Sequence, residues 1–190
     1  MMVETNKAFD QQTVSAHTLS FIRSCAKSMT LCSETDLQKD MVSVFSAHLK
    51  NIKPKDFTPN PLPALGNLQW VKDMKLAKDF REFANFLPWQ HSPRMIDYGK
   101  TSAVLNFGRM FEMGSIINGL IYIDAYQVYQ EHNHPQHEMY FLISGTGCWR
   151  WGGHYDYKPI TAGNVIYNYP WNWHGIKAGP APVLAMFLLT

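Results

Sequence analysis

Apolar side chains recur at helical spacing through the first part of the chain and at alternating spacing after it. Between about Thr13 and Asn51, Leu19, Ile22, Cys25, Ala26 and Met29, then Leu37, Met41, Val44, Phe45 and His48, step by three and four residues and predict two amphipathic helices. Ser33 or Thr35 is suited to cap the second, with Glu34 and Asp36 favourably near its N-terminus. The segment KPKDFTPNPLPALGN carries Pro54, Pro59, Pro61 and Pro63, which forbid a helix and predict an extended connector. Helical spacing returns from Leu68 to Phe86 (Val71, Met74, Leu76, Ala77, Phe80, Phe83, Ala84, with Leu87 next) and stops at Pro88.

After Pro88 the period is two. Short apolar or alternating runs occur at Val104–Phe107, Ile116–Val128, Glu138–Ile143, Gly147–Trp151, Asn164–Tyr169 and Val183–Leu189. Gly or Pro separates most of them (Gly114, Gly145, Gly152, Gly163, Pro170), the pattern of a sandwich or barrel of short strands. The expected fold is mostly β with an N-terminal helical layer: residues 1–88 form a helical extension packed on a small β-barrel of residues 89–190.

Composition narrows the function. Lys plus Arg is 17 against 15 for Asp plus Glu, a balance of +2 with no basic stripe, so nucleic acid is not an expected partner. No run of about 18 apolar residues suggests a membrane span. The start of the chain shows no apolar signal-peptide core. Three cysteines (Cys25, Cys32, Cys148) without CxxC spacing argue against a disulfide framework or a cysteine zinc site, so a reducing cytoplasm is expected. The 14% aromatic content crowds into the C-terminal half and suggests a lined cavity as well as a core. The apolar helical layer covers either the barrel or a partner, which leaves a homodimer open.

The informative stretch runs from Tyr129 to Gly145. His132 and His134 are two apart and would leave the same face of a strand, and after a break at Pro135–Gln136, Glu138 and Tyr140 would share a face of the next. Two imidazoles and a carboxylate are donors suited to a divalent first-row metal with positions left open for water or substrate. His174, after a proline turn, is a candidate fourth donor. His137 and His154 lie in loop-like sequence, and His17, His48 and His91 sit far from the cluster. A single strand histidine is usually a hydrogen-bonded surface or core residue; the added glutamate, glycine turn and distal histidine make coincidence a poor account. Met110, Met113 and Met139 are expected in the core, while nothing in the sequence places Arg94 or Arg109 at the site.

His132-x-His134-xxx-Glu138-x6-Gly145 resembles the first cupin motif, and Gly153, Pro159, Gly163, Pro170 and His174 follow the looser second one. The resemblance covers about residues 115–190 and implies a conical, jelly-roll-like antiparallel barrel. It departs from the pattern after His174, where Lys177 and Ala178 stand in place of a frequent asparagine. That asparagine is not a ligand. The further order Tyr129-xx-His132-x-His134-xxx-Glu138-x-Tyr140, with His174 downstream, is similar to the bacterial cupin-type dimethylsulfoniopropionate (DMSP) lyases. That resemblance implies one divalent transition metal ion (Fe2+, Zn2+, Mn2+ or similar) on His132, His134, Glu138 and His174. It also implies Tyr140 as the favoured base, Tyr129 as the other pocket tyrosine, and β-elimination of a zwitterionic small molecule, DMSP, to dimethyl sulfide and acrylate.

The chemistry is coherent. A metal-bound carboxylate acidifies the α-hydrogen, a nearby cation favours tyrosinate, and aromatic faces hold a sulfonium by cation–π attraction. Tyr122, Tyr126, Trp149, Trp151, Trp171 and Trp173 are the candidate substrate-binding rings. Two alternatives remain: another metal-dependent cupin enzyme, such as a dioxygenase or isomerase on a small acid, and a small-ligand-binding cupin sensor. The two bracketing tyrosines favour the lyase over the first. The absence of a basic cluster beside the helices weighs against the second.

Overall fold

The structure, a computed structural model, describes residues 10–61, 75–95 and 101–190. Helix α1 (Gln11–Cys32) starts where the Asp10 carboxylate accepts from the Thr13 N–H at 2.7 Å, satisfying one orphan donor of the first turn. It buries Ile22, Cys25, Ala26 and Met29 as its spacing predicts, together with Val14, Thr18 and Phe21, whereas Leu19 is only partly buried. Helix α2 (Asp36–His48) is capped by Thr35, not Ser33, in a reciprocal box with Gln38. Its buried residues include Met41, Val42 and Phe45, whereas Leu37 and Val44, expected on the apolar face, are exposed. The described part of the proline segment is not helical; Pro54 bridges Phe111, and Asn60 bridges Pro88. Helix α3 (Lys75–Phe83) and a single 3-10 turn (Ala84–Phe86) end before Pro88. Leu68, Val71 and Met74, expected in that helix, lie outside the described residues.

Among the described residues nine strands follow: β1 (Ala103–Asn106), β2 (Ile117–Ile123), β3 (Val128–His132), β4 (Glu138–Ser144), β5 (Thr146–Arg150), β6 (Lys158–Thr161), β7 (Val165–Asn168), β8 (His174–Ala178) and β9 (Val183–Leu189). They form a five-stranded antiparallel sheet, β1-β2-β9-β4-β7, and a four-stranded one, β3-β8-β5-β6. The run expected from Ile116 to Val128 is two strands, interrupted where Tyr126 takes a φ of 60° and the chain crosses from one sheet to the other. Strands β6 and β8 lack a long apolar run and were not expected from the pattern. At the β4–β5 turn Gly145 has a φ of 92°, and a Cβ there would lie 2.1 Å from the Pro182 carbonyl oxygen, so only glycine fits.

Two cores share the five-stranded sheet. Met139, Phe141 and Ile143 of β4, Leu120 and Tyr122 of β2, and Leu184, Met186 and Leu188 of β9 join the helices in one core. The alternate residues, Tyr140 and Leu142, Ile121 and Ile123, and Val183 and Ala185, meet Trp149, Ile160 and Ile176 of the other sheet in a second. A fully buried side chain of this size contributes about 1.5–3 kcal/mol before entropy is counted, so both faces of this sheet are held strongly. Glu138 has the parity of Tyr140 and Leu142, which directs it into the space between the sheets.

Candidate metal centre and active site

The four expected donors come from three strands and one loop. His132 ends β3 and pairs with His174, which begins β8. Glu138 begins β4. His134 is not on a strand, as its spacing from His132 suggested, but in the 133–137 connection. That connection is anchored by reciprocal backbone hydrogen bonds between His137 and Thr190 and by the Trp171 N–H donating to the His134 carbonyl at 2.8 Å. A β-bulge between Tyr129 and His132 changes the register of β3 against β8. Three residues apart, these two would face opposite sides of a regular strand; the extra residue brings both to one cavity.

The donor atoms of His132, His134 and His174 all lie within 4.8 Å of one another. His174 Nε2 stands 2.9 Å from Glu138 Oε2 and 3.1 Å from His132 Nε2, and His134 Nε2 stands 3.3 Å from the same carboxylate oxygen. The other ring nitrogens of His132 and His174 donate to backbone carbonyls: Nδ1 of His132 to Gln130 at 3.1 Å, and Nδ1 of His174 to Asn172 at 2.8 Å. Those bonds fix the orientation that turns both Nε2 atoms inward, as metal-ligating histidines require. His134 Nδ1 is buried without a partner among the described residues.

Burial by itself raises the Glu138 carboxyl, but hydrogen bonds and charge from His134 and His174 outweigh it and bring the value down to about 2. Burial, with the His174 charge, lowers His132 to about 4. A neutral imidazole and an ionised carboxylate are the states a cation needs. Asn168, buried on β7, links the centre to its surroundings: its amide nitrogen is 3.4 Å from Glu138 Oε2, and its carbonyl accepts from the Gly152 N–H at 3.2 Å.

Tyr129 and Tyr140 face the same cavity of about 380 Å³ as His132, His134 and Glu138. Burial, followed by the Glu138 charge, pushes Tyr140 well above the ordinary phenol range. Burial also raises Tyr129, and the Arg94 charge opposes it. Arg94, which sequence reasoning named but could not place, lines the cavity together with Ser92, Gln90 and Phe187. Its neighbour Met95 bridges Tyr129, a pairing across more than thirty residues that no local pattern signals.

None of the six expected substrate-binding rings lines this cavity. Tyr122 lies on the helix-facing side of β2, where its alternation from Ile121 and Ile123 puts it. Tyr126, Trp171 and Trp173 are exposed at 74%, 63% and 49%. Trp151 is just beyond the end of β5, against His154 and Lys158. Trp149 is buried behind Tyr140, ring to ring at 5.0 Å, with its indole N–H unpartnered. The rings that do line the cavity are Tyr129, Tyr140 and Phe187.

Two packed antiparallel sheets carrying a three-histidine, one-glutamate centre between them define a cupin-type barrel with a helical layer on its outer face. Residues 71–185, more than half of the chain, match the family model of the dimethylsulfoniopropionate lyases, and the chain belongs to that family. Among solved structures it is similar to a chain in the crystal structures of the DMSP lyases RdDddP and RnDddQII, at 15% identity and a TM-score of 0.76, covering 95% of this chain and 93% of that one. It is also similar to the DMSP lyase DddQ from Ruegeria pomeroyi DSS-3, at 19% identity and a TM-score of 0.63, covering 82% of this chain and 92% of that one. At these identities the likeness is one of fold. No curated protein matches the sequence. No helix among the described residues is long and apolar enough to cross a membrane.

Proposed function

We propose that this protein is a metal-dependent lyase that eliminates dimethyl sulfide from DMSP and leaves acrylate. One observation carries the reading: three histidines and a buried carboxylate cluster beside a cavity that two phenols also line, in a chain of the DMSP lyase family. The donor set fits a divalent transition metal such as Fe2+, Zn2+ or Mn2+, because the Nε2 atoms of His132 and His174 turn inward beside an ionised Glu138. Held by His132, His134, Glu138 and His174, such an ion supplies a Lewis acid for the substrate carboxylate, which acidifies the α-hydrogen.

The protein's own residues carry the rest. Tyr129, as phenolate, takes the α-proton; the C–H electron pair becomes the new Cα=Cβ bond, and the Cβ–S bond breaks with its pair on sulfur. Neutral dimethyl sulfide leaves, and Tyr129 returns its proton to solvent. This reverses the ranking drawn from sequence, which favoured Tyr140. At Tyr129 the permanent charge of Arg94 acts more strongly than that of Glu138 and favours the ionised form, whereas at Tyr140 the Glu138 charge is the stronger and favours the neutral phenol. Tyr140 then orients Glu138 and the substrate. Phe187 and the two phenol rings supply the aromatic faces for the sulfonium.

The test is headspace gas chromatography after DMSP is added to metal-loaded protein. Dimethyl sulfide and acrylate released in equal amounts are expected. Release no greater than that of a chelator-treated control rejects the lyase.

A further inference from the structure

Arg94 is the one permanent cation lining the cavity among the described residues. Its side chain is exposed, but its backbone is held firmly. The Gln130 N–H donates to the Arg94 carbonyl at 2.9 Å, and the buried Met95 next to it donates to Ser92 at 3.0 Å and bridges Tyr129. Among the described residues no carboxylate lies within ion-pair distance of its guanidinium; Arg150, by contrast, is paired to Glu131 and Lys39 to Asp36. Ile117, Ile121, Phe187 and Leu189 give the same cavity an apolar lining. Arg94 lines the same cavity as Tyr129, His132 and Tyr140, and its charge bears on all three. A guanidinium that has no carboxylate partner among the described residues, in a cavity with apolar lining, suits a small acid with a carboxylate and an alkyl or onium end. At about 380 Å³ the cavity admits such a molecule and still leaves room for waters of about 30 Å³ each.

We propose that Arg94 is a substrate-binding residue that anchors the carboxylate of a small monocarboxylate through a charge-assisted, fork-shaped pair. The identity of that acid as DMSP rests on the lyase reading above; the anchor itself does not. Arginine is required because its planar fork can hold both the Tyr129 oxygen and a carboxylate, which a lysine ammonium does less well.

The experiment measures propionate and propionamide binding to the metal-loaded protein by titration calorimetry, for the wild type, Arg94→Gln, Arg94→Lys and a distant control, Arg109→Gln. Circular dichroism melts confirm that each variant is folded. Propionate is expected to bind Arg94→Gln at least about tenfold more weakly than wild type, Arg94→Lys in between, and Arg109→Gln unchanged. Propionamide should not distinguish the four. Propionate affinity within twofold of wild type in Arg94→Gln, or no propionate binding to the wild type, would overturn the anchor. Arginine-dependent propionate binding in a protein that releases no dimethyl sulfide would keep the anchor and reject the lyase.

Discussion

Lowering the pH through about 4 should cost the centre metal affinity, and that cost should disappear in His132→Asn. Glu138, held down to about 2, is ionised at pH 6, and His132, held down to about 4, is neutral there, so neither gives up a proton to a metal at that pH. His132 donates through Nδ1 to the Gln130 carbonyl at 3.1 Å, which leaves Nε2, 3.1 Å from His174 Nε2, as the atom that faces the centre and titrates. Below about pH 4 that Nε2 carries a proton which a metal must displace. The His132 share of the apparent affinity then falls tenfold, or about 1.4 kcal/mol, for each further pH unit. Titration calorimetry with a divalent metal between pH 6 and 3 reads the slope for the wild type and for His132→Asn. A slope near pH 4 as steep in the variant as in the wild type would refute the reasoning. Glu138→Gln removes an ionised donor and should weaken metal binding already at pH 6.

Three further outcomes follow from the same geometry. Tyr129→Phe should lower kcat by roughly 10²- to 10⁴-fold with metal content kept, and Tyr140→Phe should cost less; the opposite order in steady-state assays returns the base to Tyr140. In the metal-free protein, His132 is depressed in the folded state, so its contribution to stability is present above about pH 6.5 and is lost as the pH falls toward about 4. Glu138 is likewise depressed, so its contribution begins to fade below its ordinary value of 4.5 and is gone near 2; urea melts between pH 7 and 3 should show a monotonic fall, flattened above pH 4.5 in His132→Asn. Gly119→Ala puts a Cβ 1.9 Å from the Leu105 carbonyl oxygen and 2.5 Å from the Phe187 ring, so β1 must detach from β2; a loss of at least about 2 kcal/mol in denaturant melts is expected.

The sequence by itself determined the helical layer and most of the strands, and it named the three histidines and the glutamate that the fold brings together. Each of these is written in local periodicity or in a motif of fixed spacing: Val14 to Met29 at helical steps, and His132, His134 and Glu138 around a short turn. Which rings reach the cavity was decided only by tertiary structure. Every residue of β4 is buried, as are all but the first of β2, because helices cover one face of the sheet and strands the other. Hydrophobicity then no longer distinguishes the two faces. Tyr122 and Tyr140 look alike in sequence, yet one faces the helices and the other the site. Parity failed at Tyr129 as well, where a bulge adds the residue that turns it inward. Arg94 reaches the cavity through a bridge between Met95 and Tyr129, a long-range backbone pairing that depends on the closed fold and leaves no periodic trace in the chain.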